Sequence, residues 1–379
     1  VNAGPGTGKT HTLTNKVAHL IKVCQIPANE ILVLTFTKKA AEEMNERIMI
    51  QLYPDRLANS TNLVKQENID LPFIGTIHAF CFWLLRSFNP DWLSNPKQII
   101  TIEDQKRIID EIKPNDFSVK EMIELISRIK SNQSNNNEQV LPDEITSVLN
   151  RYTEYLDKNN WVDFDDLIIE ANMWLRNLKP GKTIFKKMPV YDWILLDEYQ
   201  DLNAAQIDLI DGLLSRYAKP INGNIELKTR LFAVGDPWQS IYGFRGSSAR
   251  YLNNLQNKFA FESITLSDNY RSSQAILDCA QCLTNNQNKK NSFPDVNEVS
   301  LQAINDSQAI ISWFQTQDQK SEAYLISKII TQLTGSDINN RVPLFDDRSE
   351  GGSLNFGDIG ILYRSRILLP LIEKQLKSA

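Results

Sequence analysis

The residues near the start of the chain have the types and spacing that bind phosphate. Residues 3–10 read AGPGTGKT and fit the P-loop pattern, with Ala3 at the position of its first glycine. Glycines in such a loop let backbone N–H groups surround phosphate oxygens, and the following helix adds its positive N-terminal dipole end. We therefore expect Lys9 to reach the β- and γ-phosphates of a nucleotide and Thr10 to bind Mg²⁺. The alternative for the loop alone is a glycine-rich turn that contains GKT by chance.

Two adjacent acids form a second feature able to do chemistry. Asp197 and Glu198 directly follow the apolar run WILL at residues 193–196. Asp197 is suited to hold Mg²⁺ through its water shell, and Glu198 to orient and deprotonate an attacking water molecule. The alternative is that both acids only cap the following helix, because carboxylates favour helix N-termini. The P-loop upstream favours the hydrolytic interpretation.

A glycine-bounded turn, GDPWQSIYGFRG at residues 235–246, combines an amide, aromatic residues and an arginine. Gln239 is a candidate sensor of a γ-phosphate. Tyr242 and Phe244 are candidates for stacking on bases, which tolerates any sequence because every base has a π-face. The alternative for the aromatic residues is a cluster buried between domains.

A shorter segment, NYRSS at residues 269–273, supplies another arginine beside a tyrosine. Arg271 is a candidate positive charge for the same phosphate, because a guanidinium matches phosphate geometry. Tyr270 is a candidate platform for adenine. Alone, this segment would indicate little.

The pattern of apolar residues predicts the elements that position these loops. Strands are predicted at 31–36, 193–199, 230–236 and 357–365, and helices at 38–52, 103–113, 118–130, 143–159 and 321–333. No strand signal interrupts the helical block at about 90–185. That block is therefore predicted to be inserted into an α/β domain with a parallel sheet.

Composition limits the class of protein. A length of 379 residues suits two to three domains, and 42% hydrophobic with 23% charged residues is typical of soluble globular proteins. No apolar run reaches the length that spans a bilayer, so no membrane association is expected. Four scattered cysteines predict a reducing compartment, hence a cytoplasmic location. The net charge of −5 leaves room for a local basic groove.

Seven segments, in order along the chain, resemble the motifs of superfamily 1 DNA helicases of the UvrD/Rep/PcrA type. They are AGPGTGKT, LTFTKKAAEEM (34–44), GTIHAFC (75–81), DFDDL (163–167), DEYQD (197–201), GDPWQSIYGFRG and NYRSS. The resemblance covers essentially the entire chain. It implies an α/β fold, with a P-loop NTPase (RecA-like) parallel sheet, an all-helical inserted subdomain and a partial second RecA-like domain.

The resemblance also implies domain limits and residue roles. The first motor domain would comprise 1–89 and 186–275, the insertion 90–185, and the incomplete second motor domain 276–379. Residues implied to bind ATP and Mg²⁺ are Gly4, Gly6, Thr7, Gly8, Lys9, Thr10, Asp197, Glu198, Gln239, Tyr270 and Arg271, of which Lys9, Glu198, Gln239 and Arg271 would be catalytic. Residues implied to line a path for single-stranded DNA are Thr35, Phe36, Thr76, His78, Tyr242, Phe244 and Arg245.

The implied activity is ATP hydrolysis coupled to 3′→5′ movement on single-stranded DNA and to unwinding at junctions with duplex DNA. The pathways implied are DNA repair, replication or recombination. One alternative is the motor subunit of a helicase–nuclease or defence complex, with a nuclease or repair proteins as partners. Another is a P-loop ATPase switch that does not bind nucleic acid.

The position of the P-loop carries a further expectation. Only Val1 and Asn2 precede it, and there is no initiator Met, so the strand before the loop is expected to be cut off. The family's adenine-recognising glutamine and its second γ-phosphate arginine would then lie outside the chain. We expect such a fragment to bind nucleotide and single-stranded DNA weakly, without unwinding duplex DNA.

Overall fold

The computed structural model describes most of the chain. The described residues are 1–54, 71–132, 141–178, 188–216, 219–221, 224–241, 243, 247, 250–288, 300–305, 309–334, 354–363 and 365–378. They form two compact units, Val1–Ala309 and Ile310–Ala379.

Strands and helices alternate through most of the larger unit. The strands are β1 (Asn2–Ala3), β2 (Ile31–Thr35), β3 (Phe73–Thr76), β4 (Gln98–Ile99), β5 (Trp161–Val162), β6 (Trp193–Leu196), β7 (Lys219–Ile221), β8 (Asn224–Glu226), β9 (Arg230–Ala233), β10 (Thr265–Leu266), β11 (Asp268–Asn269) and β12 (Gln302–Ala303). The helices within the described residues of both units are α1 (Lys9–Lys22), α2 (Lys38–Leu52), α3 (Ile77–Phe88), α4 (Pro90–Ser94), α5 (Ile102–Ile112), α6 (Val119–Asn132), α7 (Asp143–Lys158), α8 (Phe164–Asn177), α9 (Ala204–Ser215), α10 (Arg250–Phe259), α11 (Gln274–Asn288), α12 (Gln319–Leu333) and α13 (Leu369–Ser378).

A parallel sheet in the order β3-β2-β6-β9 forms the centre of the larger unit. The short strand β1 bridges the end of β9 at Gly235 and pairs in parallel with β10. The P-loop therefore leaves the sheet from β1, directly between β9 and β10. The predicted α/β fold with a parallel sheet is confirmed.

The central strands are buried on both faces. In β2, Ile31 and Val33 point into a cluster shared with α1 and α2, whereas Leu32 and Leu34 point into a cluster shared with α3, α8 and α9. This alternation follows from the two-residue period of a strand. Helices on both faces explain why β2 is a continuous apolar run instead of an alternating one.

Side-chain caps fix where several helices begin. The capping residues, whose side chains accept from a backbone N–H in the first turn, are Thr37 for α2, Thr76 for α3, Thr101 for α5, Asp163 for α8 and Asn203 for α9. Each such cap contributes about 1 kcal/mol. The helix starts are therefore encoded locally, before any tertiary contact forms.

The inserted helices have a separate apolar core. Helices α5, α6 and α7 bury residues between Ile100 and Trp161 among themselves, whereas α8 packs on α3 and α9 beside the sheet. The expectation of an all-helical insertion is wrong in one respect, because β4 and β5 pair in parallel where the chain enters and leaves these helices. Strands of two residues are too short to produce a periodic signal in the sequence.

The smaller unit is helical in its described part, where α12 and α13 pack together. The predicted helix at 321–333 is confirmed as α12. The predicted strand at 357–365 is wrong, since Phe356–Asp358 forms a 3₁₀ turn and Ile359–Tyr363 has no regular structure. A strand needs a neighbour for its backbone groups, and the described residues of this unit contain none. Within the described ranges, no helix combines the length and apolar character needed to cross a bilayer.

Candidate nucleotide and DNA site

The P-loop adopts a backbone conformation that only glycine takes easily. Gly6 has a φ of 74° and Gly8 a φ of 87°, in the left-handed region that other residues rarely adopt. A Cβ atom on Gly6 would lie 2.5 Å from the Cβ of Arg271. The hydroxyl of Thr7, which is buried, donates to the carbonyl of Gly4 at 2.9 Å. The loop is therefore held as a backbone cradle directly before the N-terminus of α1, as phosphate binding requires.

The NYRSS segment is fastened to this loop. The backbone N–H of Tyr270 donates to the carbonyl of Gly6 at 2.9 Å, and the buried side chain of Asn269 donates to the carbonyl of Pro5. Asn269 also accepts from the backbone N–H of Arg271 at 2.9 Å. Tyr270 and Arg271 thus lie beside the P-loop with exposed side chains, Tyr270 being 64% exposed.

Two predicted site residues from distant parts of the sequence contact a third, Lys9. Its Nζ lies 3.2 Å from Oε1 of Gln239 and 3.5 Å from Oε2 of Glu198. The lysine side chain is only 10% exposed. The P-loop, the acid pair and the GDPWQ turn therefore form one site within the larger unit.

Asp197 is buried without full compensation. It is 5% exposed, and among the described residues its Oδ1 has no hydrogen-bond partner. Burial, and to a lesser extent the neighbouring Glu198, raise the pKa of Asp197 to about 6. A buried carboxylate oxygen without a partner is costly. This oxygen is therefore a fitting ligand for a cation.

The donor set suits Mg²⁺ in particular. Asp197 offers a carboxylate oxygen, and Thr10 lies in the first turn of α1. Mg²⁺ is usually held by one or two protein oxygens together with water and substrate phosphates. The described residues contain no group of three His, Cys, Asp or Glu that would form an all-protein metal cage. The arrangement therefore fits a metal that binds together with a nucleotide.

The sequence analysis missed several polar residues of this site. Asp201 is buried, has an oxygen without a partner among the described residues, and its pKa is raised to about 6 by burial. Asp236 is also buried, which raises its pKa, and it accepts from Nε2 of Gln239 at 2.7 Å. Gln200 and Asn269 complete the set. All four lie inside motifs quoted above, so the motifs located them, but their roles required the contacts.

Four of the residues predicted to line a DNA path lie at one end of the sheet. Thr35 and Thr76 are register partners at the carboxyl ends of β2 and β3, and Phe36 and His78 follow them closely. The ring of His78 lies 5.5 Å from that of Phe164 in an edge-to-face arrangement. Ligands of open parallel sheets bind at this edge.

Two of these residues have structural contacts of their own. Thr35 is buried and its hydroxyl donates to the carbonyl of Thr37 at 3.0 Å, while Thr76 caps α3. Tyr242, Phe244 and Arg245 lie outside the described residues. The DNA-binding roles therefore stay predictions.

The fold and the Lys9 site define a P-loop nucleotide-binding protein. Its sequence further matches two family models: the UvrD/REP helicase N-terminal domain over residues 1–260 and the UvrD-like helicase C-terminal domain over residues 264–379. The chain belongs to the UvrD/REP helicase family, which confirms the resemblance found in the sequence.

Individual relatives agree with the family. The probable DNA helicase II homolog of Mycoplasma capricolum is 31% identical over 99% of this chain and 48% of its own length. The ATP-dependent DNA helicase Rep of Buchnera aphidicola is 31% identical over 98% of this chain and 50% of its own length. The ATP-dependent DNA helicase SRS2 of Saccharomyces cerevisiae is 33% identical over 76% of this chain and 26% of its own length. The chain thus spans half or less of the length of these relatives.

Proposed function

We propose that the protein is an ATP-dependent DNA helicase, which couples ATP hydrolysis to movement along single-stranded DNA and to duplex unwinding. The observation that carries this proposal is the meeting of Lys9, Glu198 and Gln239 beside a buried, uncompensated Asp197. The names of the relatives, which are DNA helicases, support DNA as the substrate. We further propose 3′→5′ movement, a role in DNA repair, replication or recombination, and a cytoplasmic location.

The nucleotide would be held by the P-loop and its neighbours. Backbone N–H groups of Gly4, Gly6, Thr7 and Gly8 and the Lys9 ammonium bind the phosphates, while Thr10 and Asp197 would hold Mg²⁺. When bound, Mg²⁺ neutralises charge on the β- and γ-phosphate oxygens. Tyr270 offers its exposed ring to the adenine.

Hydrolysis would depend on the acid and the two γ-phosphate contacts. Glu198 orients the attacking water and accepts its proton, which is the task of a general base in this class of reaction. Gln239 and Arg271 contact the γ-phosphate. Because these contacts exist only with a triphosphate, they make the site sensitive to its hydrolysis.

Coupling to DNA would follow from short connections between the residues proposed to bind the nucleotide and those proposed to bind DNA. Thr35, Phe36, Thr76 and His78 lie at the carboxyl end of the sheet that also carries Asp197. Tyr242, Phe244 and Arg245 follow Gln239 by only three to six residues. A shift of the Gln239 turn on hydrolysis would therefore alter the hold on DNA, which is a small local change of the kind that drives larger switches.

The decisive experiment measures ATP turnover of the intact protein with and without a single-stranded oligonucleotide. We expect turnover to rise with DNA, DNA affinity to fall with salt, and Lys9→Ala to abolish turnover. Lys22→Ala is the matched control, because Lys22 is an exposed lysine in the last turn of the same helix. An ATPase that ignores DNA would contradict the proposal and favour a switch that does not bind nucleic acid. Unwinding of 3′-tailed but not 5′-tailed duplexes tests the polarity.

A further inference from the structure

Gln200 is the most deeply buried polar residue of the DEYQD segment, at 1% exposure. Both ends of its side-chain amide are used. Nε2 donates to Oε2 of Glu198 at 2.8 Å, and Oε1 accepts from the backbone N–H of Asp236 at 2.9 Å. A carboxylate only accepts and a backbone N–H only donates, so a single orientation of the amide satisfies both partners.

These bonds form part of a closed ring of polar contacts, which passes through both the backbone N–H and the carboxylate of Asp236. Asp236 accepts from Nε2 of Gln239 at 2.7 Å, and Oε1 of Gln239 accepts from Lys9 at 3.2 Å. Lys9 closes the ring at 3.5 Å from Glu198. We call the residues Lys9, Glu198, Gln200, Asp236 and Gln239 the Lys9 ring.

The surroundings leave Gln200 little freedom. A Cβ atom on Gly235 would lie 2.4 Å from Oε1 of Gln200 and 2.5 Å from a ring carbon of Tyr199, so only glycine fits there. The hydroxyl of Ser240 donates to the carbonyl of Gln200 at 3.2 Å. The DEYQD segment and the GDPWQ turn are therefore held together at both the backbone and the side chain of Gln200.

The ring has two routes between Glu198 and Gln239, one through Lys9 and one through Gln200 and Asp236. A bound nucleotide draws Lys9 to its phosphates, which removes the first route. The second route then remains as the connection between the general base and the amide that contacts the γ-phosphate. The placement of such groups strongly affects the rate of reaction, because a misplacement of about 1 Å can lower the rate about 100-fold.

We propose that Gln200 is a positioning residue that makes Glu198 and the Gln239 turn respond to the γ-phosphate as one unit. This inference rests on the proposed ATP hydrolysis. Gln200 itself touches neither nucleotide nor water in this scheme; it acts through Glu198 and through the backbone of Asp236.

The test replaces Gln200 by Met, which keeps the approximate volume and removes both hydrogen bonds. In the intact protein, we expect kcat for ATP to fall about 10- to 100-fold, with KM changed by less than about threefold. A second readout needs no turnover: the ratio of affinities for a non-hydrolysable ATP analogue and for ADP, measured by calorimetry. This ratio should fall severalfold, because Gln239 is no longer held toward the γ-phosphate.

Gln206→Met is the matched control. Gln206 is also a buried glutamine, and its Oε1 accepts from the backbone N–H of Asn203 at 3.0 Å, but it forms no hydrogen bond with the Lys9 ring within the described part of the chain. Its replacement should lower the melting temperature without changing the affinity ratio. In a Gln239→Ala background, Gln200→Met should no longer change that ratio, because coupled residues are not additive.

The outcomes separate this inference from the proposed function. If the wild-type protein shows no ATP turnover with DNA, the proposed function fails, whereas the affinity ratios still test the ring. If turnover is present and Gln200→Met retains both kcat and the affinity ratio, the positioning role is overturned. Should Gln200→Met not fold, Gln200→Leu serves instead: it likewise removes both hydrogen bonds without adding a charge beside Glu198, so kcat should again fall.

Discussion

Two places in the larger unit bury charged groups, and they differ in how these groups are compensated. In the inserted helices, Nζ of Lys130 lies 2.7 Å from carboxylate oxygens of both Asp163 and Asp166, and the Tyr152 hydroxyl donates to Asp163 at 3.0 Å. At the nucleotide site, Asp197 has an oxygen without a partner among the described residues. The first group is complete within the protein, whereas the second leaves a carboxylate oxygen available for the proposed cation.

The pKa values of Lys130 and Asp163 reflect their compensation within the protein. Burial opposes the charge of Lys130, but Asp163 and Asp166 outweigh it and raise the pKa of the lysine. Burial also opposes the charge of Asp163, yet Lys130 keeps its pKa below the ordinary value. For Asp197, burial and Glu198 act in the same direction and raise the pKa to about 6. In the compensated cluster, burial and Asp163 likewise raise the pKa of Asp166, to about 7. The unpartnered oxygen of Asp197, and not a raised pKa, therefore distinguishes the candidate nucleotide site from the structural cluster.

The compensated cluster also has a positional role. Asp163 and Asp166 belong to the DFDDL motif at the start of α8, which packs beside the sheet, and Lys130 is on the inserted helix α6. The next residue of α6, Ser131, accepts from the side chain of Asn203 at 3.1 Å, just after the DEYQD segment. The cluster therefore fixes the inserted helices against the elements that carry the nucleotide site.

The largest expected effect follows from breaking the compensated cluster. Lys130→Met should lower the free energy of unfolding by about 3–5 kcal/mol, because it leaves buried Asp163 without its partner. Lys120→Met, on the same helix, is the control: that side chain is 85% exposed and lies 3.8 Å from Glu124, so the loss should stay below about 1 kcal/mol. Denaturant unfolding measures both. Equal losses of stability for the two variants would show that Lys130 compensates the buried carboxylates no more than an exposed lysine does, and the contrast with the Asp197 site would fail.

Replacement of Asp197 should raise the free energy of unfolding, whereas replacement of Lys130 should lower it. Its pKa rises from 3.8 to about 6 on folding, so the folded protein binds this proton more tightly and loses stability as the pH rises through that range. Asp197→Asn should therefore stabilise the nucleotide-free protein, by on the order of 2–3 kcal/mol above pH 6, with the gain vanishing below about pH 4. The same substitution should weaken binding of Mg²⁺-nucleotide.

Thermal unfolding from pH 4 to pH 8, in buffer free of nucleotide and Mg²⁺, measures the effect of Asp197→Asn. The control is Asp110→Asn, since Asp110 is an exposed acid 3.8 Å from Lys113. It should change stability little at any pH. If Asp197→Asn does not stabilise the protein at pH 7.5, or stabilises it equally at every pH, Asp197 does not carry an uncompensated charge in the folded protein.

A smaller effect is expected from two glycines. Gly6→Ala should cost about 1–3 kcal/mol, because Gly6 has a φ of 74° and the new Cβ would meet Arg271; it should also weaken nucleotide binding. Gly212→Ala should instead add roughly 0.5–1 kcal/mol, because Gly212 lies inside α9 with no atom within 4 Å of the new Cβ. Melting temperatures and nucleotide titrations check both. A Gly6→Ala variant as stable as the wild-type protein would show that the P-loop is not under this constraint.

Much of this protein was determined by the sequence itself. The apolar run at 31–36 predicted β2 because a strand covered on both faces has no polar alternation, and the apolar spacing at 38–52 predicted α2. The P-loop and the acid pair predicted the nucleotide site because phosphate and Mg²⁺ require few residue types at fixed spacing. The family followed from the order of seven such segments.

The tertiary structure decided what depends on partners distant in the sequence. The pairing of β4 with β5 and the lack of a strand at 357–363 depend on whether another strand is adjacent, which no local pattern records. The roles of Gln200 and Asn269 likewise required their hydrogen bonds, since a buried amide has the same sequence signal whether it positions a site or fills a core. Lys9 meets residues more than 180 positions away, and that contact arises because parallel strands bring their carboxyl ends to one edge of a sheet.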